Sequence, residues 1–200
     1  MATTDVQIVN RALTYLGVES ITALNENTKP AATSNLLFND TRAAVFRAHP
    51  WNCLTKRIAL ALSNTGAVYG YTNRFVLPAD FLRLLEVENP TQAVFQVERG
   101  HILSDDATMN IKYTALITDV STYDTLLIDC LAARLAADMA IPLLQSGSAM
   151  EQMWKMYELK LREAKFVDAQ EQNQDVLDAD YWIESRQGIS RPNISTPPRY

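Results

Sequence analysis

Leu126-Leu-Ile-Asp-Cys-Leu-Ala-Ala-Arg-Leu-Ala-Ala-Asp-Met-Ala-Ile-Pro-Leu-Leu144 is apolar on nearly every face of a helix, and that decides the fold class. A helix with an apolar circumference must be surrounded by other elements, so this one belongs at the centre of a bundle. Asp129, Arg134, Asp138 and Pro142 interrupt it in a way that suits a buried helix of a globular protein better than a bilayer span. Arg134 and Asp138, one turn apart, are its natural polar pair. Just downstream, Gly147 breaks the chain and Ser148-Ala-Met-Glu151 matches a capping box, which predicts a further helix. Met150, Met153, Trp154, Tyr157, Leu161 and Ala164 form its expected inward stripe. So short a connection makes the two helices antiparallel neighbours.

Upstream the periodicity changes. From about Ile58 to Leu116 it moves from the helical period towards alternation. In Met109-Asn-Ile-Lys-Tyr113 the odd positions are apolar and the even ones polar, as a half-buried strand requires. Ala93, Phe95 and Val97 alternate with Gln92, Gln96 and Glu98 in the same sense, although Val94 blurs the pattern. Turns are supplied by Asn89-Pro90, Gly100 and Asp105-Asp106. The prediction is one small antiparallel sheet of roughly three to five strands.

Two more helices precede it. Thr4-Asp-Val-Gln7 is a capping box, Ile8, Ala12, Tyr15 and Leu16 keep helical spacing, and Gly17 supplies a stop. Pro30 suits the first turn of the next helix, whose stripe of Leu36, Leu37, Ala44, Val45 and Ala48 runs to His49-Pro50. The polar segment 18–29 between them reads as a loop. The expected class is therefore α+β: a bundle of about four helices from residues 1–53 and 117–171, an inserted β-rich domain over 54–116, and an extended C-terminal arm over 172–200.

That arm is rich in Gln, Asn, Asp, Arg and Pro, yet it carries Val176, Leu177, Tyr181, Trp182, Ile183 and Tyr200. A purely solvated segment has no use for such side chains. Fully extended it reaches up to about 95 Å, well beyond the subunit's own radius. An interface arm docking on a neighbouring chain accounts for both the polarity and the aromatics.

Composition narrows the function classes. With 48% apolar residues, 20% charged residues and a formal net charge of -5, the chain looks like an ordinary globular protein whose dispersed basic residues do not call for nucleic acid. Cys53 and Cys130 fall in different predicted elements and read as packed thiols. The start of the sequence has no basic and apolar leader, so synthesis and folding in the cytoplasm are expected. His49 and His101 are the two histidines, neither in a zinc-binding spacing, and no nucleotide-binding glycine motif or nucleophile elbow occurs. No cofactor, metal or catalytic residue is therefore assigned. His49, before Pro50-Trp51, is expected to cap carbonyls or pack on Trp51. Asp80, Glu86, Glu88, Glu98, Asp105 and Asp106 keep a carboxylate-pair hydrolase open in principle. Tyr69, Tyr71 and Phe75 suit a sugar cleft, but as alternating strand residues they suit core or interface better.

His49-Pro50-Trp51-Asn52, Lys56-Arg57, Ala59-Leu60-Ala61, Tyr69-Gly-Tyr71, Leu77-Pro-Ala-Asp-Phe-Leu-Arg83 and Leu131-Ala-Ala-Arg134-Leu-Ala-Ala137 follow one another along the chain. Together with Asn10-Arg-Ala-Leu-Thr-Tyr-Leu-Gly17 they resemble the tail tubular protein A family, the head-to-tail adaptors of T7-like short-tailed bacteriophages. The resemblance runs from about residue 5 to 185. It implies a helical bundle with a β-rich domain, assembled as a twelve-fold ring between the portal and the tail nozzle of the virion, with DNA passing through the lumen. It implies a structural corner at Pro78-Ala-Asp80-Phe81, where Asp80 is expected to accept backbone N–H groups. A glycan- or peptidoglycan-degrading activity, proposed for some tail components of this kind, is the alternative it leaves open.

Overall fold

A computed structural model describes residues 4–88 and 94–171. The architecture below belongs to a unit that closes at Ala169. Thr4 opens α1 (Asp5–Leu16) with the reciprocal capping box: its Oγ1 accepts the Gln7 N–H at 3.3 Å, and Gln7 Oε1 accepts the Thr4 N–H at 3.1 Å. Gly17 closes the helix at φ +67°, a left-handed conformation that only glycine adopts without strain. The polar loop that follows is tied down by Asn10, whose side chain donates to Ile21 O and accepts from Ile21 N–H, each at 2.8 Å. Thr28 caps α2 (Lys29–Ala48), Pro30 sits in its first turn, and His49 leaves it in an extended conformation.

Asp124 caps α3 (Thr125–Leu144), which has Ile128, Leu131, Leu135 and Met139 buried on one side and Cys130, Ala133 and Ala137 buried on others. Both α1 and α2 pack on it. Its alanines let neighbouring backbones approach closely, and the larger residues interdigitate with Ile8, Leu13, Phe38, Val45 and Phe46. Trp51 is fully enclosed beside them, its indole N–H on Val45 O at 3.1 Å. Asp129 links three helices through ion pairs with Arg11 of α1 and with Lys160 of α4 (Gly147–Gln170). The expected Arg134–Asp138 pair forms at 3.2 Å.

Two expectations for α4 need correction. Its start is capped by Ser146, whose Oγ accepts the Ala149 N–H at 3.2 Å, so the helix begins at Gly147 and the Ser148 capping box does not form. Gln145, in the left-handed region at φ +54°, stops α3 in the place expected of Gly147. Trp154, expected to face inward, is 37% exposed, with its ring against Arg134 and its indole N–H on Glu158.

The sheet region also differs. Among the described residues seven strands form two antiparallel sheets, where one sheet of three to five strands is expected from the sequence. The first, in the order β1-β7-β4, contains β1 (Thr55–Ala59), β7 (Asn110–Ala115) and β4 (Phe81–Glu88). The second, in the order β2-β3-β6-β5, contains β2 (Ala61–Leu62), β3 (Asn73–Val76), β6 (His101–Ser104) and β5 (Phe95–Glu98). One extended stretch serves both: Leu60 still donates to Met109 O at 2.8 Å, while Ala61 already pairs with Val76. Met109, Ile111 and Tyr113 are buried as their alternation predicts, and with Phe75, Ile102 and Ala115 they make a second, smaller core. Phe95 and Val97 share the face of buried Ile102 and Ser104 but remain largely exposed at the edge of the sheet.

Candidate interaction surfaces

The carboxylates that keep hydrolysis open are mostly engaged in structural bonds. Asp80, at the corner before β4, accepts Lys56 Nζ at 2.7 Å and Tyr113 Oη at 3.0 Å, side-chain donors that add to the backbone N–H bond expected of it. Partial burial alone raises its carboxyl, but these two hydrogen bonds and the Lys56 charge outweigh it and hold the group below the ordinary carboxylate value. Tyr113 is pushed up to about 12, first by burial and then by the Asp80 carboxylate it donates to. Asp105 accepts the Thr72 N–H at 2.8 Å and hydroxyl at 2.9 Å, which clamps the loop before β3. Glu88 accepts Asn110 Nδ2 at 3.2 Å, and Glu86 stands opposite Lys112 on β7. Asp106 is buried at the turn after β6, where its N–H donates to Ser104 Oγ.

Of these acids, Glu98 and Asp105 line the same open cleft, together with Tyr69, Tyr71, Arg74 and Arg99. It lies over the outer face of the second sheet. Phe75 does not belong to it, since its register partner is Ile102 and its ring faces the core. Tyr69 is 87% exposed, which makes it a surface aromatic.

His49 packs on Trp51 as expected, but its side chain bonds a carboxylate rather than a helix carbonyl. It follows the last residue of α2 and sits edge-on to Trp51 at 5.0 Å between ring centroids, while its Nε2 donates to Asp168 Oδ2 at 2.8 Å. Asp168 Oδ1 also accepts the Asn52 N–H at 3.1 Å, and Asn52 Nδ2 returns a bond to Asp168 O at 2.9 Å. The last turn of α4 is thereby locked to the 49–52 elbow. Nothing in the local pattern around Asp168 announces a partner so far away in sequence. Cys53 and Cys130 are both free thiols, each raised by burial, Cys130 to about 12. Neither is poised as a nucleophile.

The uncovered apolar side chains are the most distinctive feature of the surface. Leu159 is 63% and Phe166 67% exposed, and seven residues of α-helix place them on one face, two turns apart. Tyr157 and Ala164 are buried on the opposite side of the same helix. Leu36 of α2 and Ile141 and Leu144 at the end of α3 add further exposed apolar area. This second stripe on α4 was available in the sequence as an apolar pair at i,i+7 outside the inward set. The six arm positions, Val176, Leu177, Tyr181, Trp182, Ile183 and Tyr200, lie outside the described residues.

Among the described residues no group of three or more His, Cys, Asp or Glu side chains is placed to hold a metal ion. No helix among them is long and apolar enough to cross a membrane. What fold and surface define is a class: an α+β chain, a bundle of four helices with two small antiparallel sheets, presenting uncovered apolar faces. No family model matches the chain, and no curated protein matches it.

Proposed function

We propose that this chain is a structural virion subunit that assembles with copies of itself into a ring, the head-to-tail adaptor between portal and tail nozzle of a short-tailed bacteriophage. The observation that carries the reading is the exposed Leu159–Phe166 stripe on α4, opposite the face that α4 buries. A soluble helix normally reserves that side for polar residues, and apolar groups there are stabilised by covering them with a partner. A ring is built from heterologous faces, one receiving and another offered, and residues 172–200 are the natural second element. The resemblance of the 49–52, 77–83 and 131–137 motifs to adaptor proteins supports the same reading. DNA passing through a lumen formed by a chain of net charge -5 is repelled more than held.

Light scattering coupled to size exclusion, run alone and with portal and nozzle proteins, tests this. The expected mass is many times the 22.4 kDa subunit, and deleting residues 172–200 lowers it while the circular dichroism of the helices persists. A mass of one subunit under every one of these conditions rejects the ring.

One specific observation favours a second reading, a glycan- or peptidoglycan-degrading hydrolase: Glu98 and Asp105 share a cleft with two tyrosines. Turnover of peptidoglycan or α-glucans that is abolished by Glu98→Gln or Asp105→Asn would establish it. The bonds from Thr72 to Asp105 argue that this acid instead holds a loop.

A further inference from the structure

Between α2, α3 and the first half of α4 runs an open groove of about 800 Å³. Its apolar lining is Leu37, Ala137, Met150 and Trp154, and its charged lining is Asp138, Glu151 and Glu158 with Lys155 as the one cation, a net acidic surface. Trp154 is held in place rather than loose: the Arg134 guanidinium lies 4.3 Å from its ring centroid, and its indole N–H donates to Glu158 at 3.1 Å. Arg134 is in turn fixed by Asp138, which also accepts the Thr41 hydroxyl at 2.9 Å. The aromatic is thus preorganised on a rigid scaffold with an acid beside it. Among the described residues Glu151 has no hydrogen-bond or ion-pair partner. An exposed indole flanked by carboxylates is the surface that proline-rich, arginine-bearing segments select. Proline rings pack on the aromatic at little entropic cost because their backbone is already extended, and arginine answers the acids.

The chain contains such a segment. Residues 185–200 carry Arg186, Arg191 and Arg199 with no Asp or Glu, and they include Pro192 and the run Pro197-Pro198-Arg199. The acids of the region lie before it, at Asp175, Asp178, Asp180 and Glu184. Charge and side-chain chemistry therefore match the groove with residues 185–200 and not with 172–184. We infer that the α2–α3–α4 groove is the receiving face of the ring contact, and that its occupant is the Pro197-Pro198-Arg199 region of a second copy of this chain. This rests on the ring reading and gives it an address: Trp154 receives the prolines, and Glu151 with Glu158 pairs the arginine.

A fluorescently labelled synthetic peptide of residues 185–200 can be titrated into the full-length chain carrying Arg199→Glu, which removes self-competition, with anisotropy as readout. Saturable binding is expected, weakened roughly tenfold or more by Glu151→Arg and by a rise in salt to about 0.5 M. A peptide carrying Arg199→Glu should recover affinity for the Glu151→Arg chain, a reversal that damage to the fold does not produce. No saturable binding, or an affinity that Glu151→Arg leaves within about twofold, overturns the assignment. Light scattering of the wild-type chain separates the two claims. A multimer whose peptide affinity ignores Glu151→Arg overturns the groove and leaves the ring standing. A chain that keeps the mass of one subunit, both alone and with portal and nozzle proteins present, overturns the ring reading and, with it, a second copy as occupant.

Discussion

The helices α3 and α4 are neighbours of similar length built on opposite principles. Eleven of the 20 residues of α3 are buried, on all sides, whereas only Tyr157, Ala164 and Asp168 are buried among the 24 of α4. In α3 the side chains are matched to each other and to two flanking helices. In α4 the buried set is a thin seam reinforced by polar fastenings: Lys160 to Asp129, Arg134 under Trp154, and Asp168 to His49 and Asn52. The lesson is that an apolar residue in α3 is there for the fold, while one in α4 either serves the seam or is left uncovered.

The difference can be broken most decisively at Leu131, fully buried in α3. Leu131→Ala leaves a cavity that flanking helices on several sides cannot collapse, and a loss of about 3–4 kcal/mol in urea unfolding is expected. A loss below about 1 kcal/mol would mean that α3 tolerates voids as a surface helix does, and the contrast with α4 would dissolve.

Much of this contrast is legible in the residues. Continuous apolarity from Leu126 to Leu144 announces a central helix, and Thr4 and Gly17 announce the ends of the first, because both signals are local. The same holds for Met109, Ile111 and Tyr113, whose alternation reports one face of one strand. What depends on distant partners is not legible. The split into two sheets turns on a single residue, Leu60, changing partners, and an apolar run looks the same in either sheet. Trp154 fits the inward stripe of α4 by spacing alone, since periodicity gives the direction of a side chain and not how far the neighbouring helix extends to cover it. The candidate surfaces were legible only in part. The cleft acids Glu98 and Asp105 and the aromatics Tyr69 and Tyr71 stand out as residue types, but their convergence, and the loss of Phe75 to the core, are matters of register.

The fastening at the end of α4 offers an intermediate effect. Asp168→Ala deprives the His49 ring and the Asn52 N–H of their acceptor in a largely buried setting, and about 2 kcal/mol of destabilisation is expected. Hydrogen exchange localises it: the last turn of α4 should lose protection while α3 keeps its own. Equal loss of protection in both helices would show that they unfold as one unit, which sharpens the comparison into one of packing density alone. Asp168→Asn retains an acceptor for one of the two donors and should lie between the wild-type and alanine chains.

The smallest effect on stability, and the one that bears most on function, is expected at the exposed positions of α4. Trp154→Ala removes a half-covered ring and its stacking on Arg134, worth about 1 kcal/mol, far below the roughly 3–5 kcal/mol of a buried tryptophan. Phe166→Ser, on a different face of the helix and 67% exposed, should leave unfolding within about 0.5 kcal/mol of wild type. If these residues exist to meet a neighbouring copy, both substitutions should lower the assembled mass far more than they lower the unfolding midpoint, and they should do so additively because they sit on different faces. A large drop in midpoint with Phe166→Ser would instead place that ring in the subunit's own packing, and the second stripe of α4 would lose its claim to be a binding face.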